Sequence, residues 1–293
     1  MANIRKARAT ACLFLTAVIW GVAFVAQLVG MDYVGSFTYG GVRFALGALS
    51  LIPIIFIFER GAGDKARQRQ TVLMGMGAGV ILFAASSLQQ FGIAITGSAG
   101  KAGFITGLYI VLVPIFGVFL GRKAGVLTWM GAVCACIGLY FLSVTDGLGS
   151  VGTGDAVLFI GAFFWAAHIL WIDRFVPGVN PLRFSMVQFA VCSVLSMLCA
   201  FIFEDVRLAN IIAGRMPILY GGILSVGVAY TLQIVGQRHV EPSKAAIIFS
   251  TESLFSAVGA ALILGEIMSG RGYLGCALIF CGIILSQIVV RRR

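Results

Sequence analysis

Charge is scarce in this sequence: 21 Lys and Arg, 11 Asp and Glu and 2 His are spread over 293 residues. That excludes a conventional water-soluble domain, whose surface needs many more ionic groups. Catalytic signatures are missing as well. There is no HExxH pair and no GxSG serine, since Gly97-Ser98-Ala99-Gly100 carries its serine one place early. The glycines of Gly75-Met76-Gly77-Ala78-Gly79 have no following lysine, so they do not form a phosphate loop. The cysteines Cys12, Cys134, Cys136, Cys192, Cys199, Cys276 and Cys281 contain no CxxC and are odd in number, which argues against a disulfide framework or a zinc site. Polar connecting sequence is short, leaving little surface for a soluble partner. No cofactor, metal or catalytic residue is expected.

What is abundant is apolar sequence, 60% of the chain, with a mean hydropathy of +1.02. A helix needs roughly 20 mostly apolar residues to cross a bilayer core. Ten runs approach that length: Ala11 to Val29, Phe37 to Phe58, Val72 to Ile95, Ala102 to Leu120, Val126 to Val144, Ala156 to Ile172, Phe184 to Phe203, Met216 to Val235, Ala245 to Leu264 and Tyr273 to Val290. They are continuously apolar rather than alternating, so the fold expected is all-α and integral to the membrane, not a β-barrel. The first run is of full span length and is expected to remain in the mature protein rather than act as a cleaved signal.

The net charge of +10 suits nucleic acid in a soluble protein, but here the cations sit between apolar runs and report topology. With the N-terminus inside, the inner segments hold Arg5, Lys6, Arg8, Arg60, Lys65, Arg67, Arg69, Arg122, Lys123, Arg174, Arg183, Arg238, Lys244, Arg291, Arg292 and Arg293. The outer segments hold only Lys101, Arg207, Arg215 and Arg271. Both termini are therefore expected in the cytoplasm.

The sequence also matches itself at an offset of 144 to 145. Trp20 meets Trp165, Val34 meets Val179, Phe44-Ala45 meets Phe189-Ala190, and Leu88-Gln89 meets Leu232-Gln233. Gly92 meets Gly236, Leu120-Gly121 meets Leu264-Gly265, and Gly131 and Gly138 meet Gly275 and Gly282. Five spans per half is an odd number, so the halves 1–146 and 147–293 would enter the membrane from opposite sides. Such inverted repeats underlie alternating access around a site near the midplane. Glycines four apart, as in Gly103 and Gly107, let helix backbones approach closely in lipid.

The run Lys244 to Phe255 with Glu252, then Leu264-Gly265-Glu266, Gly272 to Gly275 and Gly282, resembles the end of an EamA-type repeat of the drug/metabolite transporter superfamily. Lys101 to Tyr109 with Pro114 and Leu120-Gly121-Arg122 is similar to the end of a first repeat, and Trp20-Gly21 and Arg43-Phe44 also fit. This chain has Glu252-Ser253 where the family often has Glu-Pro, and Arg122 where it usually has Glu. The resemblance covers nearly the whole chain. It implies a ten-helix secondary carrier of the inner membrane, commonly an exporter of amino acids, other metabolites or drugs. A central cavity lined by the first four helices of each half is also implied, with the fifth and tenth peripheral.

Ionisable groups at membrane depth are costly and mark functional sites by default. Glu252 lies about eight residues, roughly 12 Å, from the inner end of its span, and Arg43 about six residues, roughly 9 Å, from the outer end of its own. Extended side chains could close the remaining gap, so a structural salt bridge stands beside a role in handling solute or protons. Arg43 leans to the first and Glu252 to the second. Trp20, Gln27, Gln89, Gln90, Thr106, Tyr109, Trp165, His168, Gln188 and Gln233 complete the expected substrate-binding set. One acid, one base and several aromatics suit a zwitterionic or amphipathic metabolite better than a polyanion. The expected partners are a small-molecule substrate and the lipid bilayer, with a proton as candidate coupling ion and no nucleic acid; the oligomeric state is left open, a monomer being one option. Multidrug or cation efflux and metabolite uptake remain as alternatives. So, from other classes, do an intramembrane enzyme, which would need a serine beside His168, and a non-transporting receptor.

Overall fold

The computed structural model describes residues 2–58, 64–97, 99–122, 124–143, 152–264 and 269–287. Arg60, Ser98, Lys123, Val144, the boundary between 146 and 147, Gly265, Glu266, Val290 and Arg291 to Arg293 lie outside the described residues. Among the described residues every regular element is helical. The first half holds α1 Ala2–Gly30, α2 Ser36–Phe58, α3 Lys65–Thr96, α4 Ala99–Gly107, α5 Tyr109–Phe119 and α6 Val126–Ser143. The second holds α7 Thr153–Phe175, α8 Pro181–Phe203, the short α9 Leu208–Ala213 and α10 Arg215–Leu219, a π-helical stretch Tyr220–Tyr230, then α11 Thr231–Gln237, α12 Pro242–Phe249, α13 Thr251–Leu264 and α14 Gly270–Gln287.

Among the described residues seven helical runs are long and apolar enough to cross a membrane: Ile4–Gly30, Ser36–Ile57, Lys65–Thr96, Ala102–Phe119, Thr153–Gly178, Pro181–Phe203 and Arg215–Gln237. The expected fifth and tenth spans appear as the shorter apolar helices Val126–Phe141 and Gly270–Ser286, each adjoining a segment outside the described residues. The expected ninth span is not continuous. At its break, the Ser250 and Thr251 hydroxyls donate to the carbonyls of Ile247 and Ile248, both at 2.7 Å, competing with the helical ladder. The fourth span is interrupted at the comparable place, Leu108, whose N–H bonds only three residues back to Ile105 at 3.2 Å. Gly97 ends α3 in the left-handed conformation (φ 60°), its N–H returning to the Ile93 carbonyl at 2.9 Å.

Helix α2 packs on α8, α3 on α7 and α8, α1 on α13, α11 and the π-helical stretch, and α6 on α14. Some residues matched by the sequence offset meet inside the bundle. The Trp20 and Trp165 rings are 6.5 Å apart and those of Phe44 and Phe189 6.2 Å. Others exchange partners: Gly92 lies against Leu158 while Gly236 lies against Leu13. A Cβ on Gly131 would sit 2.6 Å from the Gly282 carbonyl oxygen, and one on Gly138 2.6 Å from that of Gly275, so α6 and α14 touch backbone to backbone. At the N-terminus of α2, the Glu204 carboxylate from the end of α8 accepts the Phe37 and Thr38 N–H groups at 2.8 Å and the Thr38 hydroxyl at 2.7 Å. A negative charge at that helix end is favourable because the first N–H groups are otherwise unpaired. At the far end of the bundle Arg122 pairs with Asp173, and Arg238 donates to the Val179 carbonyl at 2.6 Å.

Candidate functional site

Helices from both halves converge on a narrow central cavity. Its walls are Trp20, Ala23, Phe24 and Gln27 of α1, Arg43 of α2, Gln89 of α3, Thr106 of α4 and Tyr109 of α5. From the second half come Trp165 and Ile169 of α7, Ser225 and Tyr230 of the π-helical stretch, Gln233 of α11, Phe249 of α12 and Glu252 of α13. Neither α6 nor α14 contributes. The breaks at Leu108 and Ser250 lie next to wall residues, so α5 presents Tyr109 and α13 presents Glu252 from a first helical turn.

Glu252 is 4% exposed and its Oε1 accepts the Tyr109 hydroxyl at 2.9 Å. Arg43, 3% exposed, holds its guanidinium carbon 4.9 Å from the Phe44 ring centre and 5.3 Å from that of Tyr39. The two charges face one cavity, yet no ion pair joins them, which departs from the salt bridge that sequence depth allowed. Arg43 is held over aromatic faces instead. Its Nε has no hydrogen-bond partner among the described residues, and neither do Thr106 Oγ1, Trp165 Nε1 and Gln233 Oε1.

Between the charges lies an aromatic wall centred on Tyr230. Its ring centre is 4.7 Å from that of Trp20 and 6.2 Å from that of Trp165, which stacks at 20°. Phe249 lies 5.3 Å from Trp20. The Trp20 indole N–H donates to the Ser225 carbonyl at 3.2 Å, pinning α1 to the π-helical stretch. Gln89 Nε2 donates to Gln27 Oε1 at 3.1 Å. The centres of water-sized molecules have about 30 Å³ in this cavity, room for roughly two waters. Admission of a larger solute requires side chains or helices to move.

Nine of the residues expected from sequence therefore line the cavity: Trp20, Gln27, Arg43, Gln89, Thr106, Tyr109, Trp165, Gln233 and Glu252. Three do not. Gln90, one residue and about 100° of helical turn from Gln89, donates to the Gln27 carbonyl at 3.2 Å instead. His168 and Gln188 pair with each other, Nε2 to Oε1 at 3.0 Å, between α7 and α8. No serine hydroxyl bonds to His168 among the described residues, so the nucleophile and base of an intramembrane protease are not assembled. The sequence reading missed Tyr230 and Phe249. Both sit in apolar runs where nothing but their aromaticity sets them apart.

No three His, Cys, Asp or Glu among the described residues are placed to hold a metal. A solved crystal structure 19% identical in sequence has the same fold, with a TM-score of 0.79 over 95% of this chain and 96% of the other. An uncharacterized transporter of Archaeoglobus fulgidus is 28% identical, covering 98% of this chain and 88% of that one. The transporter YoaV of Bacillus subtilis is 24% identical over 94% and 95% of the two chains. The aromatic amino acid exporter YddG of Salmonella typhimurium is 25% identical over 98% and 99%. These relatives are transporters, not enzymes, in keeping with a multi-pass membrane chain. The model of the EamA-like transporter family matches twice in succession, over residues 8–144 and 152–288. With nearly its whole length accounted for by those two matches, the chain belongs to the EamA-like transporter family.

Proposed function

We propose that this protein is a secondary carrier that exports small zwitterionic metabolites, aromatic amino acids foremost, across the inner membrane. The observation that carries the reading is one cavity holding a buried carboxylate and a buried guanidinium that are not paired with each other, with an aromatic wall between them. Glu252 would take the solute's ammonium group, Arg43 its carboxylate, and Trp20, Trp165, Tyr230 and Phe249 its apolar body. Gln27, Gln89, Thr106 and Gln233 supply neutral polar contacts. The solutes of the exporter relative, aromatic amino acids, agree with this chemistry.

Ten spans in two inverted halves, 1–146 and 147–293, would provide alternating access. The reading is supported by the two successive family matches and by the way offset-matched residues meet or exchange partners across the bundle. The excess of Lys and Arg on one set of connections supports cytoplasmic termini, with Glu204 then at the outer end and Arg122 at the inner. A C-terminal fusion to a reporter active only in the cytoplasm is expected to be active, and activity of a periplasm-only reporter at that position would refute the orientation. A proton is the proposed coupling ion.

Protein reconstituted in liposomes is expected to exchange radiolabelled tryptophan or phenylalanine for the same unlabelled amino acid, without ATP. Failure to move any zwitterionic amino acid in folded, reconstituted protein would sink the proposal. Trp20→Ala and Trp165→Ala should each weaken apparent affinity for aromatic solutes by about threefold to tenfold, the size of a lost aromatic contact. Unchanged affinity and substrate profile in both would make these rings packing alone.

A further inference from the structure

A second, larger space lies on the flank of the bundle, where the C-terminal parts of α5 and α7 diverge. The central cavity has a volume of about 30 Å³, and this crevice about 820 Å³. Its floor and walls are apolar and aromatic, with Phe116, Phe119, Leu170 and Trp171 among them. Phe119 is 84% exposed, so the crevice is open at the surface of the bundle, and it shares no lining residue with the central cavity. The Trp171 indole N–H is already taken by the Met74 carbonyl at 3.0 Å, so that ring makes no polar demand on an occupant.

Arg122 and Arg174 also line the crevice, at the ends of α5 and α7. Asp173 and Glu241 are the acidic neighbours: the Asp173 carboxylate is engaged by Arg122, and Glu241, which shares a recess with Arg122, lies 3.6 Å from the Lys244 ammonium. Arg174, exposed, has its guanidinium carbon 5.8 Å from the Phe175 ring centre. Three cations, Arg122, Arg174 and Lys244, against the two acids Asp173 and Glu241 leave Arg174 without an acidic partner of its own and a net positive mouth on an apolar slot. Solutes of the central cavity would not fit this pattern, but one class of molecule joins a long hydrocarbon to a negative head.

The geometry points to a binding site for an anionic phospholipid, its acyl chain lying between α5 and α7 along Phe116 and Phe119 and its phosphodiester held by Arg174 and Arg122. Basic recesses between spans recognise lipid headgroups in this way, and each surface cation favours an anionic lipid by about fivefold. The site is separate from the proposed substrate cavity, so its test does not depend on transport.

Native mass spectrometry of the purified full chain, titrated with phosphatidylglycerol or phosphatidylcholine of the same acyl chains, reads the preference directly. Phosphatidylglycerol is expected to be retained at least several-fold better. Arg174→Gln should lower its retention by about fivefold, Arg174→Lys should largely keep it, and Phe119→Ala should weaken both lipids alike. Arg174 is exposed, so these variants are expected to fold, and a single sharp elution peak from size exclusion verifies it. Equal retention of the two lipids, or no response to Arg174→Gln, overturns the assignment. Displacement of phosphatidylglycerol by millimolar inorganic phosphate overturns it too, because the site would then be reading a phosphate anion rather than a lipid.

Discussion

Glu252→Gln is expected to yield a folded protein that has lost most of its transport. The substitution keeps the shape of the side chain, and an amide oxygen can still accept the Tyr109 hydroxyl that lies 2.9 Å from Glu252 Oε1. Only the charge is removed. A hydrogen bond to a charged partner contributes about 1.5–3 kcal/mol, so losing it from an ammonium-bearing solute should cost roughly ten- to a hundredfold in transport efficiency. If Glu252 also carries the coupling proton, the variant's residual flux should no longer vary with pH. The decisive comparison is flux in liposomes from about pH 5 to 8, a range reaching well above the ordinary carboxylate range. A variant that folds and matches wild type throughout would show that Glu252 is structural.

The largest effect on stability is expected at the contact between α6 and α14. Glycine at 131, 138, 275 and 282 allows two backbones to touch, and a Cβ on Gly282 would lie 2.6 Å from the Gly131 carbonyl oxygen. Backbone cannot step aside as a flexible side chain can. Gly282→Leu should therefore force the helices apart and lower stability by at least 1–3 kcal/mol, the usual range for overpacking. Gly282→Ala should show a smaller loss of the same sign. Gly125→Ala serves as a control, since nothing lies within 4 Å of a Cβ built there. Thermal unfolding in detergent measures all three. Because neither helix lines the cavity, the substrate profile of the folded Gly282→Ala protein should stay that of wild type. A Gly282→Leu protein melting like wild type would mean that the helices do not meet as closely as described.

The importance of these glycines was visible in the sequence, because Gly131 and Gly138 keep the spacing of Gly275 and Gly282. Which glycine faces which was not. Spacing along one chain fixes a face of a helix, whereas the pairing of 131 with 282 and 138 with 275 follows from how the two helices cross. Arg43 shows the same division. Its depth inside an apolar run marked it as costly and in need of partners, but two long side chains of opposite charge within reach did not form a pair. Packing of α2 laid the guanidinium over Phe44 and Tyr39 instead.

The sequence by itself determined the solvent, the helical class and the two ionisable groups of the cavity. Those properties depend on hydropathy, length and charge, which are read one residue at a time. Tertiary structure decided which way each helix is turned about its axis. A helix that is apolar all round, with lipid on one side and protein on the other, carries little amphipathic signal to set that rotation. Gln89 therefore faces the cavity while Gln90 turns away, and His168 and Gln188 bond to each other rather than line it. Tyr230 and Phe249 enter the site from runs that read only as apolar. The interruptions at Leu108 and Ser250 carry no proline to mark them, and only the folded bundle brings the helix starts they create, at Tyr109 and beside Glu252, to one cavity.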